Sequence, residues 1–152
     1  DYQMYNNEHY ILDVIFTQDP MEVTEPAVAE MMTKDNVGNA NIESNNGGRG
    51  FARNVITNLR KLGNRHTNVR WFHQGDNKVA RILSNSTGVM NNVYFPINWE
   101  DRWPEFAKHL KHYVRTGKNE HDDAEDCLTG VYENPKPKNI NMEMTNKSFI
   151  KM

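Results

Sequence analysis

Short strands alternating with amphipathic helices predict an α/β protein with a mixed sheet. Three stretches carry that reading. Tyr10–Phe16 collects β-branched, aromatic and aliphatic residues around a single Asp. Asn39–Glu43, the loop Ser44–Gly50 and the run Phe51–Leu62 form a strand, a loop and a helix with Val55, Ile56, Leu59 and Leu62 at helical spacing. Val69–His73 then returns as a strand.

The remaining elements follow in order. Tyr5–His9 reads as a turn, so an earlier strand should pair with Tyr10–Phe16. Only four residues precede that turn, and the first strand is expected to be missing or cut short, as in a fragment of a larger chain. Thr24 is the expected N-cap of a helix with Pro26 in its first turn, running through Met32. Gly63 should stop the helix that begins at Phe51. Gln74–Asn77 turn the chain into a helix over Lys78–Ser84, and Val93–Pro96 is a short extended piece. Trp103 and Pro104 open a helix through Val114, and Asp122–Tyr132 is the last helix. Beyond Asn134 the composition turns to Asn, Lys, Pro and scattered Met, which reads as a flexible tail. The expected organisation is one domain over 1–133 and a tail over 134–152.

Composition narrows the class. The 152 residues are 37% apolar, enough for a core to which Trp99, Trp103 and Met31–Met32 should contribute. The one cysteine, Cys127, rules out an internal disulfide framework and a cysteine zinc site, fits a reducing compartment, and reads as a small buried hydrophobe. No apolar run approaches a membrane span. The net charge of −2 hides an asymmetry. Every Asp, Glu, Lys or Arg from Asp1 to Thr33 is acidic, whereas Arg49, Arg53, Arg60, Lys61, Arg65, Arg70, Lys78 and Arg81 are opposed only by Asp76. A nearly neutral chain can thus present a basic face.

The densest chemistry lies in His121-Asp122-Asp123-Ala124-Glu125-Asp126-Cys127-Leu128. On a helix Asp123 and Asp126 are i,i+3 neighbours, and Asp122 and Asp126 are i,i+4 neighbours. Each like-charge pair costs a few tenths of a kcal/mol. Either the helix N-terminus or bound cations must compensate. Glu43, at the carboxyl end of a strand before a glycine-rich loop and a helix, occupies the position that faces the ligand crevice in open α/β sheets. Carboxylates of this kind suit Mg²⁺ or Mn²⁺. Two such ions activate water and stabilise the leaving oxygen of a phosphodiester. The glycine loop lacks the Gly-Lys-Ser/Thr ending of a nucleotide-binding P-loop.

Ile42-Glu43-Ser44-Asn45-Asn46-Gly47-Gly48-Arg49-Gly50-Phe51, Asn77-Lys78-Val79-Ala80-Arg81-Ile82, Val93-Tyr94-Phe95-Pro96 and the acidic run resemble, in that order, the nuclease domain of tailed-phage or prophage terminase large subunits. The resemblance spans about Tyr5 to Tyr132. It implies a ribonuclease H-like fold that cuts concatemeric double-stranded DNA during genome packaging, in the cytoplasm of a bacterial host. The implied partners are the terminase ATPase domain, the small terminase subunit and the portal. It also implies two metal ions, with Glu43 as the second acidic ligand and Asp123 as the third. Asp126 would assist, as in Holliday-junction resolvases, and Asp122 is an alternative register. The family's first acid belongs on a strand before the hairpin, and this sequence has almost nothing there. Asp1 lies too near the turn, and Asp13 is expected to be structural.

Arg49 and Arg53 (i,i+4) and Lys78 and Arg81 (i,i+3) are the candidate phosphate contacts. Asn45 either bonds phosphate or shapes its loop, and the loop is the expectation. His121 either supports the acids or serves as a turn residue. Rival readings are a resolvase- or transposase-like nuclease, and a ribonuclease H-like domain that binds DNA or packaging partners without cutting.

Overall fold

The computed structural model describes residues 1–114, 119, 122–134 and 149–151. In chain order the elements are β1 (Tyr2–Tyr5), β2 (Glu8–Ile11), α1 (Met21–Lys34), β3 (Asn39–Glu43), a 3₁₀ turn (Asn45–Gly47), α2 (Gly48–Lys61), β4 (Asn68–Phe72), α3 (Lys78–Asn92), β5 (Val93–Pro96), α4 (Trp99–Arg102), α5 (Pro104–His112), α6 (Asp123–Glu133) and β6 (Phe149–Lys151). The protein is mixed α/β. It divides into two compact units, one of Asp1–Phe16 with Asp76–Met152 and one of Thr17–Gly75, where the sequence suggests a single domain. Among the described residues no helix is long and apolar enough to cross a membrane.

The first unit holds a mixed sheet in the order β1-β2-β5-β6. β1 and β2 form an antiparallel hairpin over Asn6 and Asn7, both with positive φ. β2 runs parallel to β5, and β5 antiparallel to β6. The earlier strand expected from the turn is therefore present as β1, and its residues Tyr2, Gln3, Met4 and Tyr5 include no acid. Ile11, Val93 and Phe95 carry the sheet's buried face, and Val89, Trp99, Trp103, Phe106 and Leu128 pack on it.

Several sequence boundaries move. The strand expected over Tyr10–Phe16 ends at Ile11; one further bond, from Leu12 to Asp1, continues the hairpin register before other groups take the carbonyls. Leu12 N–H donates to Asp1 O at 2.9 Å, Arg102 donates to Leu12 O, and the N-terminal amine donates to Asp13 O at 2.8 Å. The Asp13 carboxylate accepts from Val14 N–H and from Trp103 Nε1, a structural role as expected. α3 continues eight residues past Ser84, through weak helix formers, because Ile82 and Val89 are buried on one face. Gly88 is required there, since a Cβ would meet the Tyr132 ring of α6. The helix expected from Trp103 through Val114 is α5, which runs from Pro104 to His112, and a short helix the sequence did not suggest, α4, precedes it over Trp99–Arg102. Phe149–Lys151, assigned to a tail by composition, pairs with β5, and its Phe149 ring meets Tyr10 edge-on. Cys127 is exposed rather than buried.

The second unit is a β3–β4 parallel pair in full register from Asn39↔Asn68 to Glu43↔Phe72. Alternation puts Ala40, Ile42 and Val69 on one face, where α1 and α2 supply Ala29, Met32, Val55 and Leu59. α1 starts at Met21, not after Thr24, because Val23 and Thr24 N–H both bond to Pro20 O, and Pro26 lies inside the helix. α2 starts three residues before Phe51 and ends where expected, with Gly63 at φ +76.

Candidate active site

Glu43 closes β3 on its outward face, exposed and without a hydrogen bond or ion pair among the described residues. Its neighbours fix the turn that follows. Ser44 donates from N–H (2.7 Å) and Oγ (2.8 Å) to Phe72 O, and Asn45 Nδ2 donates to Gln74 O at 2.8 Å. Asn45 therefore shapes the loop. Asn46 (φ 48) and Gly47 (φ 95) turn the backbone left-handed, and α2 begins at Gly48. A Cβ on Gly48 would overlap the Glu43 carbonyl oxygen and sit 2.9 Å from its carbon. The glycine-rich sequence thus lets α2 start hard against the end of β3. Of the cations beside it, the Arg49 guanidinium lies over the Trp71 ring at 5.8 Å, and Arg53 is exposed with no ion pair among the described residues.

The acidic run meets cations from α3. Asn77 caps α3 by accepting from Ala80 N–H at 3.0 Å, which sets Lys78 in the first turn. Lys78 Nζ lies 2.6 Å from Asp122 Oδ1, 2.6 Å from Asp123 Oδ1 and 3.9 Å from Asp126 Oδ2. One turn later Arg81, only 8% exposed, pairs with Asp126 and, at 2.7 Å, with Glu133. Burial opposes both positive charges, but the bonds to Asp122 and Asp123 for Lys78, and to Glu133 and Asp126 for Arg81, outweigh it and raise both pKa values. Asp122 holds the N-cap position of α6, yet its carboxylate caps nothing and goes to Lys78.

The structure therefore redistributes the residues expected to touch DNA. Lys78 and Arg81 bind the protein's own carboxylates, whereas Arg53 is unpaired among the described residues. It brings Asp122, Asp123 and Asp126 together around one ammonium. Among the described residues no three His, Cys, Asp or Glu side chains stand in a ready metal-holding arrangement. His121 lies outside the described residues.

Glu125 is the group that sequence reasoning missed. It is 9% exposed, and neither carboxylate oxygen has a hydrogen-bond partner among the described residues. Burial raises its pKa, and the charges of Asp122 and Asp123 push it the same way. The signal was available: Glu125 shares its helix face with Leu128 and Thr129, both buried, while Asp123 is exposed. Comparison with family models, curated proteins and solved structures returned no match.

Proposed function

We propose that this chain is a metal-dependent nuclease domain. More particularly, it is read as the endonuclease part of a terminase large subunit, cutting concatemeric double-stranded DNA during packaging. The observation that supports it most is the gathering of three carboxylates at the start of α6 on a single cationic point. As described, these three side chains form no ready metal site, so holding a hard divalent ion would require Lys78 Nζ to leave and the carboxylates to turn toward a common point. Glu43 supports it separately, as an exposed carboxylate with no other employment at the end of a parallel strand.

In this reading Asp123, with Asp126 or Asp122 assisting, is the candidate metal ligand of the first unit, and Glu43 is that of the second. Two Mg²⁺ or Mn²⁺ ions, when bound, would lower the pKa of a water and offset charge on the leaving oxygen. The chain's own part is to present the oxygens. α6 supplies its acids from a first turn anchored to α3, and the Gly48 contact fixes the backbone that carries Glu43. Lys78, displaced from the acids, becomes available to a phosphate oxygen.

A second reading, a domain that binds DNA without cutting it, is favoured by one observation. Lys78 and Arg81 already neutralise the acids without any metal. Supercoiled plasmid incubated with the protein and Mn²⁺, or with EDTA, separates the two. Nicking that needs the metal and disappears in Glu43→Ala and in Asp123→Ala is expected. Metal-dependent nicking that survives both substitutions overturns the ligand assignment, and no nicking at all favours the binding reading.

A further inference from the structure

We infer that the flank of α2 beside β4 and the turn leading to β4 form a track for the phosphate backbone of DNA, distinct from Lys78 and Arg81. The inference rests on the nuclease reading only for its choice of DNA as the polyanion. Between Ser44 and Gly75 the chain has six Lys and Arg residues and no Asp or Glu. Arg49, Arg53 and Arg60 fall within about 40° of one another around α2, at about 100° per residue. Arg53 and Arg60 are separated by about 10 Å of helix axis, the rise of roughly three phosphates along one DNA strand. Arg53, Arg60 and Arg65 are all exposed, and none makes an ion pair among the described residues. This is unlike Lys78 and Arg81, whose charges are met inside the protein.

The track is also shaped and held in place. A groove of about 380 Å³ is lined by Ile56, Arg60, Asn64, Arg65, Thr67 and Val69. Asn64, 6% exposed, donates to Thr33 Oγ1 at 3.1 Å and to Thr67 Oγ1 at 2.9 Å, and accepts from Thr67 N–H at 3.1 Å. Thr67 in turn donates to Val37 O at 2.7 Å. The turn carrying Arg65 is therefore pinned to α1 and to the segment before β3. Its cation sits on a fixed backbone, so fewer degrees of freedom are surrendered on binding. Arginines on a pinned backbone, in a stretch of chain without acids, suit a regular, sequence-independent array of phosphates.

The test measures binding in EDTA, where no hydrolysis occurs, using fluorescence anisotropy of a labelled duplex of about 20 base pairs over a KCl series. Arg60→Ala/Arg65→Ala is expected to weaken binding and to reduce the slope of log K against log [salt] by about 2, close to one for each phosphate no longer neutralised. Arg60→Lys/Arg65→Lys should keep most of the slope, and Lys34→Ala, on α1, should not change it. A double-alanine variant that melts like the wild type and keeps its slope overturns the inference. So does competition by poly-glutamate that matches unlabelled duplex at equal charge, which would reassign the face to an acidic protein. A protein that never nicks plasmid but shows the Arg60/Arg65-dependent slope overturns the nuclease reading and leaves this surface standing.

Discussion

Arg81→Met tests whether the cations of α3 serve the fold or the ligand. The substitution keeps most of the stem and removes the guanidinium. In the native protein that group holds Asp126, whose side chain is 16% exposed, and Glu133, which is 33% exposed. Breaking a fully buried pair costs about 3–5 kcal/mol, because the surviving charge is stranded. Both carboxylates here keep some water, and Glu133 keeps its bond from Asn85 Nδ2 at 2.8 Å. The expected destabilisation is therefore nearer to about 2–3 kcal/mol. With a urea m-value of about 2 kcal/mol/M, the midpoint should fall by roughly 1–1.5 M. Trp99 and Trp103, both buried in the same unit, report it by fluorescence. Adding Asp126→Asn should recover part of the stability, with a coupling of about 1–2 kcal/mol. A midpoint indistinguishable from wild type, together with weaker DNA binding and a shallower salt dependence, would refute this reasoning and restore Arg81 as a phosphate ligand.

Two further outcomes follow from the same geometry. Gly48→Ala should destabilise the second unit by about 1–3 kcal/mol, since its Cβ meets backbone at Glu43 that cannot swing away. A thermal melt at the wild-type temperature would show that the β3–α2 junction is looser than described. Glu125→Gln should alter how stability depends on pH. Burial raises the Glu125 pKa, so the folded form holds the proton more tightly than the unfolded one. Its contribution is complete below the ordinary glutamate range and fades as pH rises through the raised value. Stability of Glu125→Gln relative to wild type should therefore improve from about pH 4 to about pH 8 in urea titrations. A constant or falling difference would refute the burial argument.

The parts of the fold legible in the sequence were those where local pattern and packing agree. β3 and β5 have the boundaries their residues suggest, and α2 shows its Val55–Leu59 stripe and its Gly63 stop. Legibility failed where a distant partner decides. Beyond the hairpin's last pair, Asp1 opposite Leu12, the Leu12 carbonyl goes to Arg102, which lies 90 residues away and is marked by no motif. β6 is three residues whose strand character comes from pairing with β5, far earlier in the chain. At the candidate site the acids of α6, Glu43 and the cations were all visible as residue types. Their assignment was not, because Lys78 and Arg81 meet Asp123 and Asp126 across 45 residues of chain.

That pairing also ties together the formation of two helices. Taken alone, α6 opens with like charges at i,i+3 and i,i+4, which disfavour its own first turn. α3 alone carries Lys78 at its positive end, the wrong sign for its dipole. Each helix brings the charge the other needs, which adds to the support that the Asn77 cap gives α3 and that the helix dipole gives the acids of α6. α3 and α6 are accordingly expected to open and close as one cooperative segment, with the acidic run gating its assembly rather than merely decorating its surface.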